Sequence, residues 1–388
     1  MSSMSSFENV RLKDRLEKDI ERIISRVKEL DGIEGIILTG SYGRDEGSYS
    51  VKGGRVQPLN DYDLILVTKN GDSIVEQLRE ISDDLAQELG IDFVDLAPMH
   101  PDYFASVPLT IYYYELKHGS RVLEGDKSIL DRMPCFRPEN IPLWEGVRLL
   151  FNRMAGLLGG FLQERRRSLS EQEYLYMRNQ LVKAGVACGD ALVLSYGKYH
   201  HLYRHRRQVF GQLVEEGTLE FLPKEGQRLL DESYDHKLKP VANYDRDLWQ
   251  WLAELLPHYR SIFLHLLGAY TNTHSEQLWQ AVEAFLLFQP IPSEDSIRTK
   301  MKRWGRALTQ GKPSYLIDTA PKDRAYAALP LVLLNCPVFR FEPTETNKAQ
   351  DILRSLSFPI SPAQRDDRWS LWEALRRGSF DAWDSLCH

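Results

Sequence analysis

The chain has 388 residues, with 49 Lys or Arg against 55 Asp or Glu, so its formal net charge is −6. Hydrophobic residues make up 43% and charged residues 27%, which is the composition of folded globular domains and excludes a disordered or collagen-like chain. A slightly acidic chain is not expected to coat nucleic acid with its whole surface. The four cysteines are far apart, and neither a signal-peptide pattern nor a run of about 18 apolar residues is present. We therefore expect a cytoplasmic protein without a disulfide framework or a membrane span.

The first third of the chain has the pattern of an α/β domain. Residues 7–30 carry apolar side chains at helical spacing, and residues 73–90 predict a second helix that ends at Gly90. Short apolar runs between turn residues predict strands over 33–40, 63–68, 91–96, 111–116 and 121–125. Only four residues separate the last two runs, which predicts a hairpin or an edge pair.

The rest of the chain has mainly helical patterns, with proline-rich breaks at 133–142 and 289–295. Helices are predicted over 144–165, 171–200, 206–216, 246–270, 275–288, 294–310 and 370–378. We therefore predict an α/β domain over 1–135, a helical bundle domain over 136–288 and a mostly helical region over 289–388.

Two aspartates begin the second predicted strand. Asp61 and Asp63 share one face of that strand, because residues two apart in a strand point to the same side. Two neighbouring carboxylates repel each other unless a cation neutralises them, and hard oxygen ligands with room for water and phosphate suit Mg²⁺. The strand is apolar on both faces beyond the pair, which predicts a central strand carrying a metal site.

A Gly-Ser turn ends the first predicted strand. Gly40 allows the backbone to approach a ligand closely, and Ser41 adds a hydroxyl group. We expect the next residues to open a helix whose N-terminus favours a phosphate, with Arg44 close enough to reach a phosphate oxygen. A triphosphate at one strand end beside a metal on the next strand is the arrangement for attack on an α-phosphate.

The order of these features resembles the DNA polymerase beta-like nucleotidyltransferase superfamily. A hydrophobic strand, Gly-Ser, a spacer and Asp-x-Asp in a second hydrophobic strand occur here as LTGSYGRDEG (38–47) and NDYDLILV (60–67). The chain is most similar to small bacterial members, namely aminoglycoside and lincosamide nucleotidyltransferases and minimal nucleotidyltransferases that work with helical partners. The resemblance covers about residues 30–125 and implies an α+β nucleotidyltransferase domain with a small mixed sheet, followed by a mostly α-helical region.

The resemblance also implies a reaction. An NMP, with AMP expected, would move from an NTP, with ATP expected, to a hydroxyl group of an unidentified acceptor, and pyrophosphate would be released. Two Mg²⁺ ions would bind Asp61, Asp63 and a third carboxylate on a later strand, where Asp92 matches best and Asp95, on the opposite strand face, is the reserve. A small-molecule acceptor is favoured over RNA or protein. The alternatives are an RNA- or protein-modifying nucleotidyltransferase and a regulatory or toxin-antitoxin module that binds a nucleotide.

One polar stripe on the predicted helix 171–200 consists of Asn179, Lys183 and Asp190. The resemblance implies that Lys183 reaches the β- and γ-phosphates of the nucleotide. The alternative interpretation is a structural interaction between Lys183 and Asp190.

Two further segments have open interpretations. Residues 48–59 look like an insertion relative to the family, in which Gly53-Gly54 turns a short hairpin that serves as a lid, reads the substrate or has no function. Residues 200–210 combine histidines and arginines with Tyr203 and Phe210, a pattern that suits either RNA binding or a solvated helix end.

Overall fold

A computed structural model describes residues 6–52, 55–91, 93–240, 246–288, 319–358 and 367–387. The described chain falls into two compact units. The first unit comprises Met1–Pro142, Tyr196–Val209 and Tyr234–Tyr244, and the second comprises Leu143–Ser195, Phe210–Ser233 and Asp245–His388. The helix predicted over 294–310 lies outside the described residues.

The first unit is built on a small mixed sheet. Its elements are α1 (Ser6–Val27), β1 (Ile33–Leu38), α2 (Gly40–Gly43), β2 (Tyr49–Lys52), β3 (Arg55–Pro58), β4 (Tyr62–Thr68), α3 (Gly71–Leu89), β5 (Val94–Met99), α4 (Ile111–Gly119) and β6 (Arg121–Glu124). The four-stranded sheet has the order β5-β4-β1-β6. β4 runs parallel to β5, whereas β1 is antiparallel to both β4 and β6. The predicted central position of β4 is therefore confirmed.

The core of this unit lies against the sheet face that carries Tyr62. Tyr62 is fully buried and donates its hydroxyl to Asp19 Oδ2 of α1 over 2.8 Å. Leu64 and Leu66 continue this face of β4 into a cluster with apolar side chains of α1 and α3. Ile65 is buried on the opposite face. A strand that is apolar on both sides is stable only between other strands and under packed elements, which explains its central place.

The hairpin predicted over 111–125 is wrong, because Ile111–Gly119 forms α4. Thr110 caps this helix by accepting a hydrogen bond from Tyr113 N over 3.2 Å. Leu116 is fully buried on the inner side of the helix. Aromatic residues favour a strand only where they fit a pleated, half-buried surface. Here the Thr110 cap and the burial of Leu116 stabilise a helix instead. β6 pairs instead with β1.

The third strand begins later than predicted. β5 covers Val94–Met99 instead of 91–96, and Asp92 lies outside the described residues. The helix before it, α3, ends as predicted at Gly90, whose φ of 66° is in the left-handed region typical of a glycine after a helix.

The insertion at 48–59 contains the predicted hairpin. β2 and β3 pair antiparallel from Tyr49 opposite Pro58 to Lys52 opposite Arg55. The predicted turn, Gly53-Gly54, lies outside the described residues.

The second unit is helical in its described part. Its helices are α5 (Leu143–Gly160), α6 (Glu171–Ser195), α9 (Leu248–Thr271), α10 (Leu278–Phe288), Pro321–Leu333, Pro343–Ser355 and Arg368–Cys387, and the residues of α7 (Tyr203–Glu215) and α8 (Lys224–Leu238) are divided between the two units. α6 packs against α5 and α9 with small and apolar side chains, which are buried along most of its length. Among the described residues, no helix has the length and apolarity needed to cross a membrane.

Candidate functional site

Three carboxylates lie on one face of the sheet in the first unit. Asp61 and Asp63 are partly buried, while Tyr62 between them is buried on the other side of β4. Asp95 stands opposite Asp63 in the parallel pairing of β4 with β5. Residues in register on parallel neighbours point to the same face, so Asp95 belongs with Asp61 and Asp63. Burial, and after it the charge of Asp61, raises the pKa of the Asp95 carboxyl.

The pairing of β4 with β5 puts Asp95 beside Asp63, and its role as a third carboxylate stays a prediction. Sequence reasoning ranked Asp95 below Asp92, because it predicted a strand that starts at residue 91. The part played by Asp92 stays a prediction. Nothing in the local sequence fixes which residue of β5 stands beside Asp63, since the register depends on contacts between distant segments.

The carboxylate oxygens of Asp61 and Asp63 suit a cation that keeps some of its coordination positions for water and substrate. Within the described part of the chain, no group of three or more His, Cys, Asp or Glu side chains is arranged to hold a metal ion by itself. Mg²⁺ is usually bound by one or two carboxylates together with waters and substrate phosphates. Asp61 and Asp63 therefore fit Mg²⁺ as a site that a phosphate ligand completes.

The Gly-Ser turn lies directly against the carboxylate of Asp63. Thr39 N donates a hydrogen bond to Asp63 O over 2.9 Å, which extends the pairing of β1 with β4 up to the turn. Gly40 follows with a φ of 62°, and a Cβ atom at this position would overlap Asp63 Oδ2 and stand 2.6 Å from Asp63 Cγ. Only glycine fits here without moving the aspartate.

The helix expected after this turn is a single turn, Gly40–Gly43. So short an element lacks the aligned peptide dipoles of a longer helix. Its N-terminus therefore attracts a phosphate only weakly. The close packing of Gly40 on the carboxylate is the stronger feature.

A buried lysine that the sequence analysis did not single out contacts the same turn. Lys237, near the end of α8, places its Nζ 3.3 Å from Ser41 Oγ and 5.3 Å from the centre of the Tyr203 ring. Ser41 and Lys237 are 8% and 9% exposed. No sequence pattern connects two residues 196 positions apart. The fold thus adds a positive charge to the Gly40-Ser41 turn.

The insertion is fixed at its base to this neighbourhood. Ser48 N donates to Asn60 Oδ1 over 2.6 Å, and Ser48 O accepts from the Tyr42 hydroxyl over 3.0 Å. Ser48 Oγ donates to Lys237 O over 2.9 Å. The hairpin of β2 and β3 therefore starts beside the lysine and the turn.

Arg44 is part of a buried charge cluster. Its Nη1 pairs with Glu115 Oε2 over 2.8 Å, while Glu115 Oε1 accepts from Arg206 Nη1 over 2.5 Å and from the Tyr199 hydroxyl over 2.7 Å. Burial alone raises the pKa of Glu115, but Arg44 and Arg206 outweigh it and lower that pKa. Arg44 thus stabilises the first unit, and its contact with a phosphate stays a prediction.

The arginines of residues 200–210 are also paired. Each bonds to a carboxylate of the first unit, in the pairs Arg204–Glu46, Arg206–Glu115 and Arg207–Asp235. A groove for RNA needs guanidinium groups that are available to phosphates. These pairs disfavour the RNA-binding interpretation of the segment.

Tyr112 of α4 is a further side chain near the carboxylates. Crowding by protein atoms, and after it the charges of Asp95 and Asp63, raises the pKa of its phenol to about 12. The hydroxyl therefore stays protonated near neutral pH, and the side chain is 45% exposed. The sequence analysis missed Tyr112 because it assigned residues 111–116 to a strand.

The predicted stripe on α6 lies in the second unit. Asn179 is exposed, Lys183 is partly buried and Asp190 is 4% exposed. The expected contact of Lys183 with a nucleotide stays a prediction.

Comparison with known proteins gives no relative for this chain. No family model, no curated protein and no solved structure matches it. Function must therefore be inferred from the chemistry of the site.

Proposed function

We propose that the chain is a Mg²⁺-dependent nucleotidyltransferase that moves an NMP, with AMP expected, from an NTP to a hydroxyl group of an acceptor. The observation that supports this is the carboxylate face formed by Asp61, Asp63 and Asp95, against which Gly40 packs its backbone. In the reaction, the acceptor oxygen bonds to the α-phosphorus, the bond to the β-phosphate oxygen breaks and pyrophosphate leaves. The acceptor hydroxyl loses its proton.

In this proposal the carboxylates hold the cations. Asp61 and Asp63 would bind both Mg²⁺ ions, and Asp95, or Asp92 as first expected, would add the third carboxylate. When bound, Mg²⁺ lowers the pKa of the acceptor hydroxyl and offsets the charge of the triphosphate. The charge of Asp61, which after desolvation contributes to the raised pKa of the Asp95 carboxyl, supports this role, since a cation would offset the repulsion between the two carboxylates.

The turn and the lysine would hold the triphosphate. The backbone of Gly40 packs against the carboxylate of Asp63, which sets the turn beside the proposed metal ligand, and Ser41 offers a hydroxyl. Lys237 brings its ammonium group to the same turn at 3.3 Å from Ser41 Oγ. A lysine acts on phosphate as a compact point charge, which suits this position. Arg44 and Lys183 remain predicted nucleotide ligands.

A small molecule is the favoured acceptor in this proposal. The arginines that an RNA strand would need are engaged with Glu46, Glu115 and Asp235. In the regulatory or toxin-antitoxin alternative, the protein binds the nucleotide at the same site. Measurement of nucleotidyl transfer over many turnovers distinguishes an enzyme from such a module.

The test is transfer of label from each α-³²P-labelled NTP in the presence of Mg²⁺. Purified protein is incubated with fractions of a cell extract as acceptors, and both labelled product and pyrophosphate are measured. Asp63→Asn is the inactive variant, and Asp83→Asn, at an exposed position of α3, is the matched control. Transfer by the wild type and by Asp83→Asn, but not by Asp63→Asn, is expected. Absence of product in every fraction, or equal release of pyrophosphate by Asp63→Asn, would contradict the proposal.

A further inference from the structure

The second unit contains a cavity with an arginine-rich wall. Its volume is ≈ 360 Å³, at the lower end of the ~300–1,000 Å³ range of pockets that hold small molecules. The cavity is lined by Arg165, Arg166, Arg167, Ser168, Leu169, Tyr174, Arg246, Asp247, Leu248 and Trp249. Four of these ten side chains are guanidinium groups, and only one is a carboxylate. The wall is therefore suited to an anion.

Two of the four arginines are already neutralised. Arg165 Nε pairs with Glu173 Oε1 over 3.1 Å, and Arg246 pairs with Glu254. The carboxylate in the lining, Asp247, caps α9 by accepting hydrogen bonds from Trp249 N and Gln250 N over 2.9 and 3.2 Å. The carboxylates of Glu173, Glu254 and Asp247 thus stabilise the wall through these contacts. They do not pair with Arg166 or Arg167.

Arg166 and Arg167, both exposed, supply the remaining positive charge of the wall. No carboxylate in the described part of the chain forms an ion pair with either residue. Both side chains are exposed, so water and salt screen their mutual repulsion, and their charge is accessible to an anion that enters the cavity.

Arg166 is also held in place by aromatic rings. Its guanidinium carbon lies 3.8 Å from the centre of the Trp369 ring and 5.8 Å from that of Trp249. Trp249 is 9% exposed, and among the described residues its indole N–H has no hydrogen-bond acceptor. A guanidinium fixed on aromatic rings loses little freedom when it binds a ligand, so its affinity for an oxyanion is increased.

We propose that this cavity binds a small phosphate-bearing molecule, with Arg166 and Arg167 as the phosphate ligands. A guanidinium group matches two phosphate oxygens with parallel hydrogen bonds, which makes arginine better suited than lysine to such a site. The cavity lies entirely in the second unit and does not include the carboxylates of the proposed nucleotide site. A ligand in the cavity would therefore contact none of those carboxylates.

Calorimetric titration of the full chain with inorganic phosphate tests the proposal. The buffer contains EDTA at constant ionic strength, so that no divalent cation holds phosphate at Asp61 and Asp63. We expect one phosphate per chain, binding about tenfold or more weakly in Arg167→Gln and in Arg166→Gln. Arg377→Gln removes an exposed arginine of the same unit outside the cavity and is the matched control, expected to bind like the wild type.

The outcomes distinguish this site from the proposed nucleotide site. Phosphate binding that survives in Asp63→Asn but is lost in Arg167→Gln supports the cavity, whether or not the protein transfers nucleotides. Loss of binding in Asp63→Asn, equal weakening in Arg377→Gln, or no binding to the wild type overturns it. Arg166 and Arg167 are both exposed, so neither substitution is expected to unfold the protein.

Discussion

Replacing Gly40 by alanine tests whether the turn after β1 lies against the carboxylate of Asp63. The added Cβ would overlap Asp63 Oδ2, with Asp63 Cγ at 2.6 Å and Asp63 Cβ at 3.0 Å. β4 is a central strand and cannot shift without disturbing both neighbours, so the Asp63 side chain must rotate away. A second effect is backbone strain, because φ at Gly40 is 62°.

A second glycine separates the two effects. Gly90 has nearly the same φ, 66°, but no atom lies within 4 Å of a Cβ built on it. Gly90→Ala should therefore cost only the left-handed strain, about 1–2 kcal/mol in the free energy of unfolding. Gly40→Ala should cost roughly 0.5–1.5 kcal/mol more, since the displaced Asp63 side chain leaves its preferred rotamer.

Urea unfolding of the two variants measures this difference. In an Asp63→Ala background the excess cost at Gly40 should largely disappear, because only the 3.0 Å contact with the Asp63 Cβ then remains. Transfer activity should fall about 100-fold in Gly40→Ala, as expected for a catalytic group moved by about 1 Å, and stay unchanged in Gly90→Ala. Equal unfolding free energies together with equal activities in the two variants would refute the contact.

Three further changes test other parts of the first unit. Asp61→Asn should lower transfer by roughly 10²–10³, and a rate near that of the wild type would exclude Asp61 as a metal ligand. Lys237→Met should weaken NTP binding about tenfold in a titration with a non-hydrolysable NTP, whereas the exposed neighbour Lys239→Met should leave it unchanged; equal affinities would refute the phosphate role. Glu115→Gln should cost about 3–5 kcal/mol of unfolding free energy at pH 7, because it leaves Arg44 and Arg206 without their carboxylate. The folded-state pKa of Glu115 lies below its usual 4.5, so its stabilisation is present above that pH and is lost as the pH falls through the lowered value. The difference in unfolding free energy between Glu115→Gln and the wild type should therefore become smaller in urea titrations at acid pH. A difference that does not change with pH would contradict the role of ionised Glu115.

The features that follow from local backbone geometry could be predicted from the sequence. The apolar residues 64–67 indicate a strand buried on both faces, and the two-residue repeat of a strand puts Asp61 and Asp63 on the same side. Gly90 ends α3 because only a residue that tolerates a left-handed conformation fits there. The Gly53-Gly54 pair similarly indicated the hairpin of β2 and β3. Each of these depends on neighbours a few residues apart.

The choice among residues at the site depended on the tertiary structure. Asp95 stands beside Asp63 only through the register of β4 with β5, and Lys237 reaches Ser41 from far along the chain. Arg44 was expected to face a phosphate but is paired with Glu115 on α4, in the segment that was predicted to be a strand. Sequence patterns specify which residues an element contains and which face each side chain takes, because backbone dihedrals set that periodicity. Which faces meet is decided by packing and charge pairing between distant segments, and this selects the partners of each carboxylate.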